Sequence, residues 1–265
     1  MNCRRHTASS ILAAALLVAS PRGVVAQEGS LALGISAMQV YNYPAARRQL
    51  EQALQADPQS YEANWRLGMV LVNLGQQTPD DVKSPARDSL YALAESYARR
   101  AVAAKPSEAD GHFVLGTAVG RTSLTVSKKE RIKHATEIFV EATKAIELNP
   151  RHDGAYHLLG RWHSEIMLLT PLQKFFAKNF MGGTIFNQAS WDAAETNLRT
   201  AVDLAPNRIF HRIDLANVLV ERGKWREAKV QVDAISGLPP VEPMDLSYRR
   251  QAQLLGTRIA TKLKP

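Results

Sequence analysis

One cysteine, Cys3, occurs in 265 residues. A lone thiol excludes an intramolecular disulfide and any zinc or iron–sulfur site built from several thiolates. Glycine and proline are also scarce, at 15 and 13 residues, which excludes a collagen-like or Gly/Pro-rich disordered chain. Gly116…Gly120-Arg121 lacks both the lysine and the preceding strand of a phosphate-binding loop. No Gly-x-Ser-x-Gly elbow and no His-Glu-x-x-His pair is present. His152, His157 and His163 lie close in sequence without metal-ligand spacing. We therefore expect no catalytic residues, no metal and no cofactor. With 45% apolar and 22% charged residues, what remains is the composition of a globular protein.

The formal net charge is +8, from 33 basic and 25 acidic residues. Part of that excess belongs to the N-terminus. Arg4 and Arg5 precede an apolar run of nine residues, Ile11 to Ala19, followed by Ser20, Pro21 and Val24-Val25-Ala26. This is the pattern of a secretory signal peptide, residues 1–26, with cleavage expected after Ala26. A cut after Ser20 is disfavoured by Pro21, and nine apolar residues are too few to span a bilayer, which needs about 20. Loss of Arg4, Arg5 and Arg22 lowers the net charge from +8 to about +5 and leaves no cysteine. An exported chain without thiols suits an oxidising compartment, periplasmic or extracellular. The basic run Lys128-Lys129, Arg131, Lys133 is broken by Glu130 and reads as a solvated helix face, so no nucleic-acid partner is expected.

The remainder, residues 27–265, repeats. Prolines 58, 106, 150, 206 and 240 each close an apolar stripe, with small or apolar residues 12, 8 and 5 positions upstream. The first set is Ala46, Leu50, Ala53, and the fourth is Ala194, Leu198, Ala201. Ten residues after each of the first four prolines comes the second member of a Leu-Gly or Leu-Ala pair: Leu67-Gly68, Leu115-Gly116, Leu159-Gly160, Leu215-Ala216. Leu33-Gly34 opens the series. The step from one unit to the next is constant, whereas the spacing inside the three middle units is stretched, so the added length lies at hairpin tips or in helix extensions. Such a pattern predicts an all-α superhelix of five stacked helical hairpins, near 27–60, 61–108, 109–152, 153–208 and 209–242. A closing helix over 243–263 is expected, capped by Asp245, with Tyr248, Ala252, Leu255, Ile259 and Leu263 on its buried face.

These markers resemble the tetratricopeptide repeat. Within about 61–240 the chain also resembles the regulator of microtubule dynamics family, through Trp65-Arg66-Leu67, Gly111-His112-Phe113 and the string His157-Leu158-Leu159-Gly160-Arg161-Trp162 before a long insert. Where that family usually has a Gly–Pro turn in the insert, this chain has Met181-Gly182-Gly183. The resemblance implies a protein-binding helical solenoid and, by the family's name, a microtubule-associated regulator. The export signal points to another compartment.

By the repeat register, the concave face carries Trp65 and Met69, Phe113, then His157, Arg161 and Ser164, with Asn217 continuing the row. The lysine–asparagine carboxylate clamp of the peptide-binding repeats is missing, its positions being Trp65/Met69 and His157/Arg161. Arg161 can fork onto a carboxylate or phosphate, or pair with Glu165 one turn on. The insert 170–190 concentrates Phe175, Phe176, Phe180 and Phe186. It reads as a lid over an apolar or lipid-like ligand, as an amphipathic element touching membrane, or as additional core. The expected function is binding of a protein or peptide partner, with carriage of a lipid-like ligand as the alternative.

Overall fold

The computed structural model describes the backbone of residues 21–180 and 184–264, and the side chains of 29–175 and 184–264. Residues 1–20 of the expected signal peptide lie outside the described residues. Ten helices form five antiparallel hairpins: α1 (Pro21–Gln39) with α2 (Tyr43–Ala56), α3 (Tyr61–Gln76) with α4 (Pro85–Ala104), α5 (Ala109–Thr122) with α6 (Lys128–Leu148), α7 (Asp153–Leu168) with α9 (Trp191–Leu204), and α10 (Ile209–Glu221) with α11 (Trp225–Gly237). A short helix, α8 (Pro171–Phe180), and a 3-10 turn, Thr184–Gln188, lie in the fourth hairpin's insert, and α12 (Asp245–Leu263) closes the stack. No described helix is long and apolar enough to cross a membrane.

The hairpin junctions follow from the small-residue code. Ala46, Leu50, Ala53, Ala94, Ala98, Ala101, Ala194, Leu198 and Ala201 are wholly buried. Of the fifteen residues in the upstream sets, only Ile138 is not buried; it lines the concave cavity instead. Glycine is needed where neighbouring helices touch. A Cβ on Gly68 would lie 3.2 Å from the Ala94 carbonyl oxygen, and one on Gly75 only 2.4 Å from the Tyr91 ring. After the second helix of each of the first four hairpins, one extended residue donates its N–H to a buried alanine carbonyl: Asp57 to Ala53, Lys105 to Ala101, Asn149 to Ala145 and Ala205 to Ala201. Each precedes a proline, which restricts that residue to extended backbone and stops the helix. The turn into the next unit is thus built identically four times.

The extra length is accommodated in three ways. α4 and α6 are extended to 20 and 21 residues, against 14 in α2. An eight-residue connection precedes α4, and the fourth hairpin adds α8. Helix starts are capped by Asn42, Ser60, Ser84, Ser127 and Ser190, Ser127 forming a reciprocal capping box with Glu130.

One member of the Leu-Gly series differs from the rest, and one expectation, the Asp245 cap, is corrected. Leu33 is 59% exposed, unlike Leu67, Leu115, Leu159 and Leu215, because no described helix precedes α1 to cover it. Asp245 does not cap α12 from outside. It is the helix's first residue, buried, and its carboxylate accepts from the Val241 and Glu242 N–H groups, both at 2.8 Å. Asp245 therefore fastens the preceding loop. The face Ala252, Leu255, Ile259 is buried against α10 and α11.

Candidate functional site: the concave cavity

The first helices of the hairpins line one cavity of about 680 Å³. The superhelix winds far enough that its two ends share this space. Met38, Tyr41 and Tyr43 from the α1–α2 corner line it together with Glu242, Pro243 and Met244 from the loop before α12. Electrostatics shows the same approach. Burial first, and then the Glu242 carboxylate from the far end of the chain, push the Tyr41 and Tyr43 hydroxyls up.

α3 contributes Trp65 and Met69 one turn apart, packed with Phe113 of α5 over Val114 and Leu115. Trp65 is fixed by its indole N–H donating to Glu62 at 3.1 Å and by the Arg66 guanidinium 4.2 Å from its ring centre. Phe113 stacks on His152 at 4.6 Å, in a space that only a glycine at position 154 leaves open. Tyr41 is held in the left-handed backbone region at φ 56, which costs a bulky residue about 1–2 kcal/mol. It meets Tyr43 edge to face at 6.3 Å.

The other wall is charged. Asp214 on α10 accepts from His157 Nε2 at 2.7 Å and from Arg161 at 3.2 Å, and Arg161 reaches Glu165 at 2.9 Å. Behind it, Asp153 accepts from His211 Nε2 at 2.8 Å and from Arg208 at 2.9 Å, and Arg208 also holds Glu242 at 3.1 Å. The His157 and His211 rings lie 4.9 Å apart, with Phe210 against both.

Five of the expected concave residues, Trp65, Met69, Phe113, His157 and Arg161, come together in this cavity. Ser164 and Asn217 do not line it. Ser164 is buried and donates to the Arg161 carbonyl at 2.9 Å, and Asn217 is exposed on α10. Phe210 and Asp214 are the residues that α10 supplies, a shift of three positions from the register of the earlier repeats. α12 causes it by packing on α10 and placing Tyr248 beside Phe210 at 6.4 Å. The insert gives no lid among its described side chains, since no described residue of 170–190 lines the cavity. Phe186 is core, buried with Ile132, Trp162 and Ile166, while Phe175 is 55% exposed. The side chains of Phe176 and Phe180 lie outside the described residues.

The family model for regulator of microtubule dynamics protein 1-3 matches residues 36–259. The chain belongs to this family. Among solved structures it is similar to TTC0263, a thermophilic tetratricopeptide-repeat protein of Thermus thermophilus, at 22% identity and a TM-score of 0.61, covering 86% of this chain and 98% of that one. It is also similar to pilF of Pseudomonas aeruginosa, at 17% identity and a TM-score of 0.54, covering 92% of each. At such identities the likeness concerns the fold. No curated protein sequence matches.

In this family member the buried histidines on and behind the cavity wall should make the fold acid-sensitive. Burial lowers His211 to about 4, outweighing the pull of Asp153, and it lowers His157 and His163 as well. Burial alone would raise Asp214, but Arg161 and the His157 bond hold its carboxyl below the usual range. Native His211 thus stays neutral down to about pH 4, whereas the unfolded imidazole gains a proton below about 6.5. The unfolded chain binds the extra proton, so stability falls as pH drops through that window, by up to ~1.4 kcal/mol per pH unit for each such group. Urea midpoints at pH 7 and pH 5 test this. A loss of about 2 kcal/mol from His211 is expected, and His211→Phe should flatten the dependence. Equal midpoints at the two pH values would contradict it.

Proposed function

We propose that the chain is an exported, non-enzymatic scaffold whose concave cavity binds a protein or peptide partner. The observation that carries this reading is the convergence of all five hairpins and the loop before α12 on one cavity. It combines rigid aromatic anchors with pre-formed ion pairs, the usual make-up of a recognition pocket. The ionisable groups at the centre of its charged wall are engaged with one another: Asp214 with Arg161 and His157, and Arg208 with Asp153 and Glu242. That arrangement suits recognition more than turnover. Export rests on the N-terminal pattern, and intact-mass measurement of the mature protein should show loss of residues 1–26. The packing of α1 through Leu31, Ala37 and Met38 lies beyond that cut.

Cross-linking in the native envelope tests the binding reading. Trp65→Ala and Arg161→Ala should each reduce capture of a specific partner at least fivefold. If Val230→Ser on the outer face acts equally, the cavity is not the site.

A second reading, carriage of an apolar or lipid-like ligand, draws on the apolar wall of Met38, Trp65, Met69 and Phe113. It requires a stoichiometric lipid in organic extracts of the purified protein; repeatedly empty extracts would dismiss it.

A further inference from the structure

The cavity has two chemically different walls. From α1 to α5 it presents Tyr43, Trp65, Met69 and Phe113, and from α7 to α12 it presents ion pairs. Three of its four arginines are held by carboxylates: Arg121 by Asp80 at 3.4 Å, Arg161 by Asp214 and Glu165, and Arg208 by Glu242 and Asp153. The fourth, Arg131, donates to the Leu124 carbonyl at 3.4 Å. Five carboxylates line the same space, so the cavity carries an excess of negative charge inside a chain of formal charge +8.

Asp80, Asp110 and Glu165 are the acids with a single partner and a side chain about half exposed or more, and of these Asp110 and Glu165 stand at opposite levels of the repeat register. Asp110 has only the His152 ring at 3.4 Å and a side chain 47% exposed. Glu165 uses one oxygen on Arg161 and is 60% exposed. Asp110 opens α5, whereas Glu165 lies in the last turn of α7, level with Arg121 in the repeat register. Eleven residues of helix separate the two levels, roughly 17 Å along the axis. A second observation marks the space between as a binding site. Tyr43 is 5% exposed and lines the cavity, yet its hydroxyl has no hydrogen-bond partner among the described residues. The ring is buried while the hydroxyl is open to the cavity, where it is free to bond a guest.

Resting on the protein-binding reading above, we propose that the guest is an extended peptide segment of about five residues with an apolar centre and a lysine or arginine at each end. The apolar side chains pack on Trp65, Met69 and Phe113. The basic ends pair with Asp110 and Glu165, and the Tyr43 hydroxyl bonds the guest's backbone. Five extended residues span about 17 Å, comparable with the axial offset of the two acids, and the long basic side chains cover the lateral distance from α5 to α7. An acidic guest meets only Arg131 without breaking an arginine–carboxylate pair, whereas a basic one finds several carboxylates with free oxygens. A cavity of about 680 Å³ suits a short segment and is too small for a folded domain.

Calorimetry on the full chain with three acetylated, amidated pentapeptides tests the proposal: Lys-Leu-Phe-Leu-Lys, Gln-Leu-Phe-Leu-Gln and Glu-Leu-Phe-Leu-Glu. The lysine peptide should bind at least tenfold tighter than the glutamate peptide, with the glutamine peptide between. In an Asp110→Asn/Glu165→Gln double variant, whose sites are exposed enough to leave folding intact, that ranking should collapse while the glutamine peptide still binds. Tyr43→Phe should weaken all three at least threefold without changing their order. Equal affinities for the three peptides would overturn the charge assignment and leave the protein-binding reading standing. No binding by any of them, with partner capture still lost in Trp65→Ala, would overturn the segment proposal alone. No binding together with a stoichiometric extracted lipid would overturn both.

Discussion

Gly160→Val should lower the stability of the fold by about 2–3 kcal/mol, the scale of overpacking in a closed core. A Cβ at position 160 would stand 2.7 Å from Leu198 Cγ, 3.1 Å from the Leu198 backbone nitrogen and 3.2 Å from the Ala194 carbonyl oxygen. A flexible side chain can move aside, but two of these three neighbours are main chain of α9. Relief therefore means separating α7 from α9, which also disturbs the indole N–H of Trp162 donating to Ala135 at 2.6 Å. Valine adds two methyl groups to that conflict. The gain in helix propensity on removing a glycine, at most ~1 kcal/mol, does not offset it. Gly120→Ala is the matched control. Its nearest neighbour is the Ile138 terminal methyl at an ordinary 3.7 Å, so the change should be neutral or mildly stabilising. Urea denaturation of the two variants decides the point, and equal midpoints would mean that close helix approach is not what glycine supplies at position 160.

The second large effect is expected at Asp214. Removing its carboxylate leaves His157 without its hydrogen-bond acceptor and Arg161 with Glu165 alone. Asp214→Ala should cost about 2–4 kcal/mol, since a partly buried cation and an imidazole lose a shared partner. Part of that loss is mechanical, because Asp214 ties α10 to α7 across the cavity. Asp214→Asn keeps the shape and can still accept from His157, so it should recover more than half of the loss. If alanine and asparagine destabilise equally, the charge is the only contribution and the hydrogen-bond geometry is irrelevant.

The hairpins were legible because each junction is local. Buried alanines at fixed offsets, a glycine facing them and a proline after the second helix all act within a single hairpin, and their pattern is printed in the chain. Arg161 and Glu165 are likewise a within-helix pair, expected from i,i+4 spacing and found at 2.9 Å. The cavity was legible only in part. Trp65, Met69, Phe113, His157 and Arg161 follow the register, but α10 departs from it because α12 lies against it, and no local pattern announces a three-position shift. An acid four residues after an aromatic, Phe210 and Asp214, was the available signal on α10. Closure of the cavity by Tyr41, Tyr43 and Glu242 depends on rotation accumulated over five units. The phenylalanines of the insert read as one group, yet Phe186 belongs to the core with Trp162, while Phe175 stays largely exposed. Spacing alone does not separate those two fates.

The central claim is that the concave cavity, and not the outer face, meets the partner. Site-specific photo-cross-linking in the native host tests it most directly, with a benzophenone side chain placed in turn at Trp65, Phe113, Leu93 and Val230. Trp65 and Phe113 line the cavity, whereas Leu93 and Val230 are exposed on α4 and α11 outside it. One discrete protein adduct from the first two positions, absent from the last two, is the predicted result. Adducts of the same protein from Leu93 or Val230 with none from the cavity positions would contradict it.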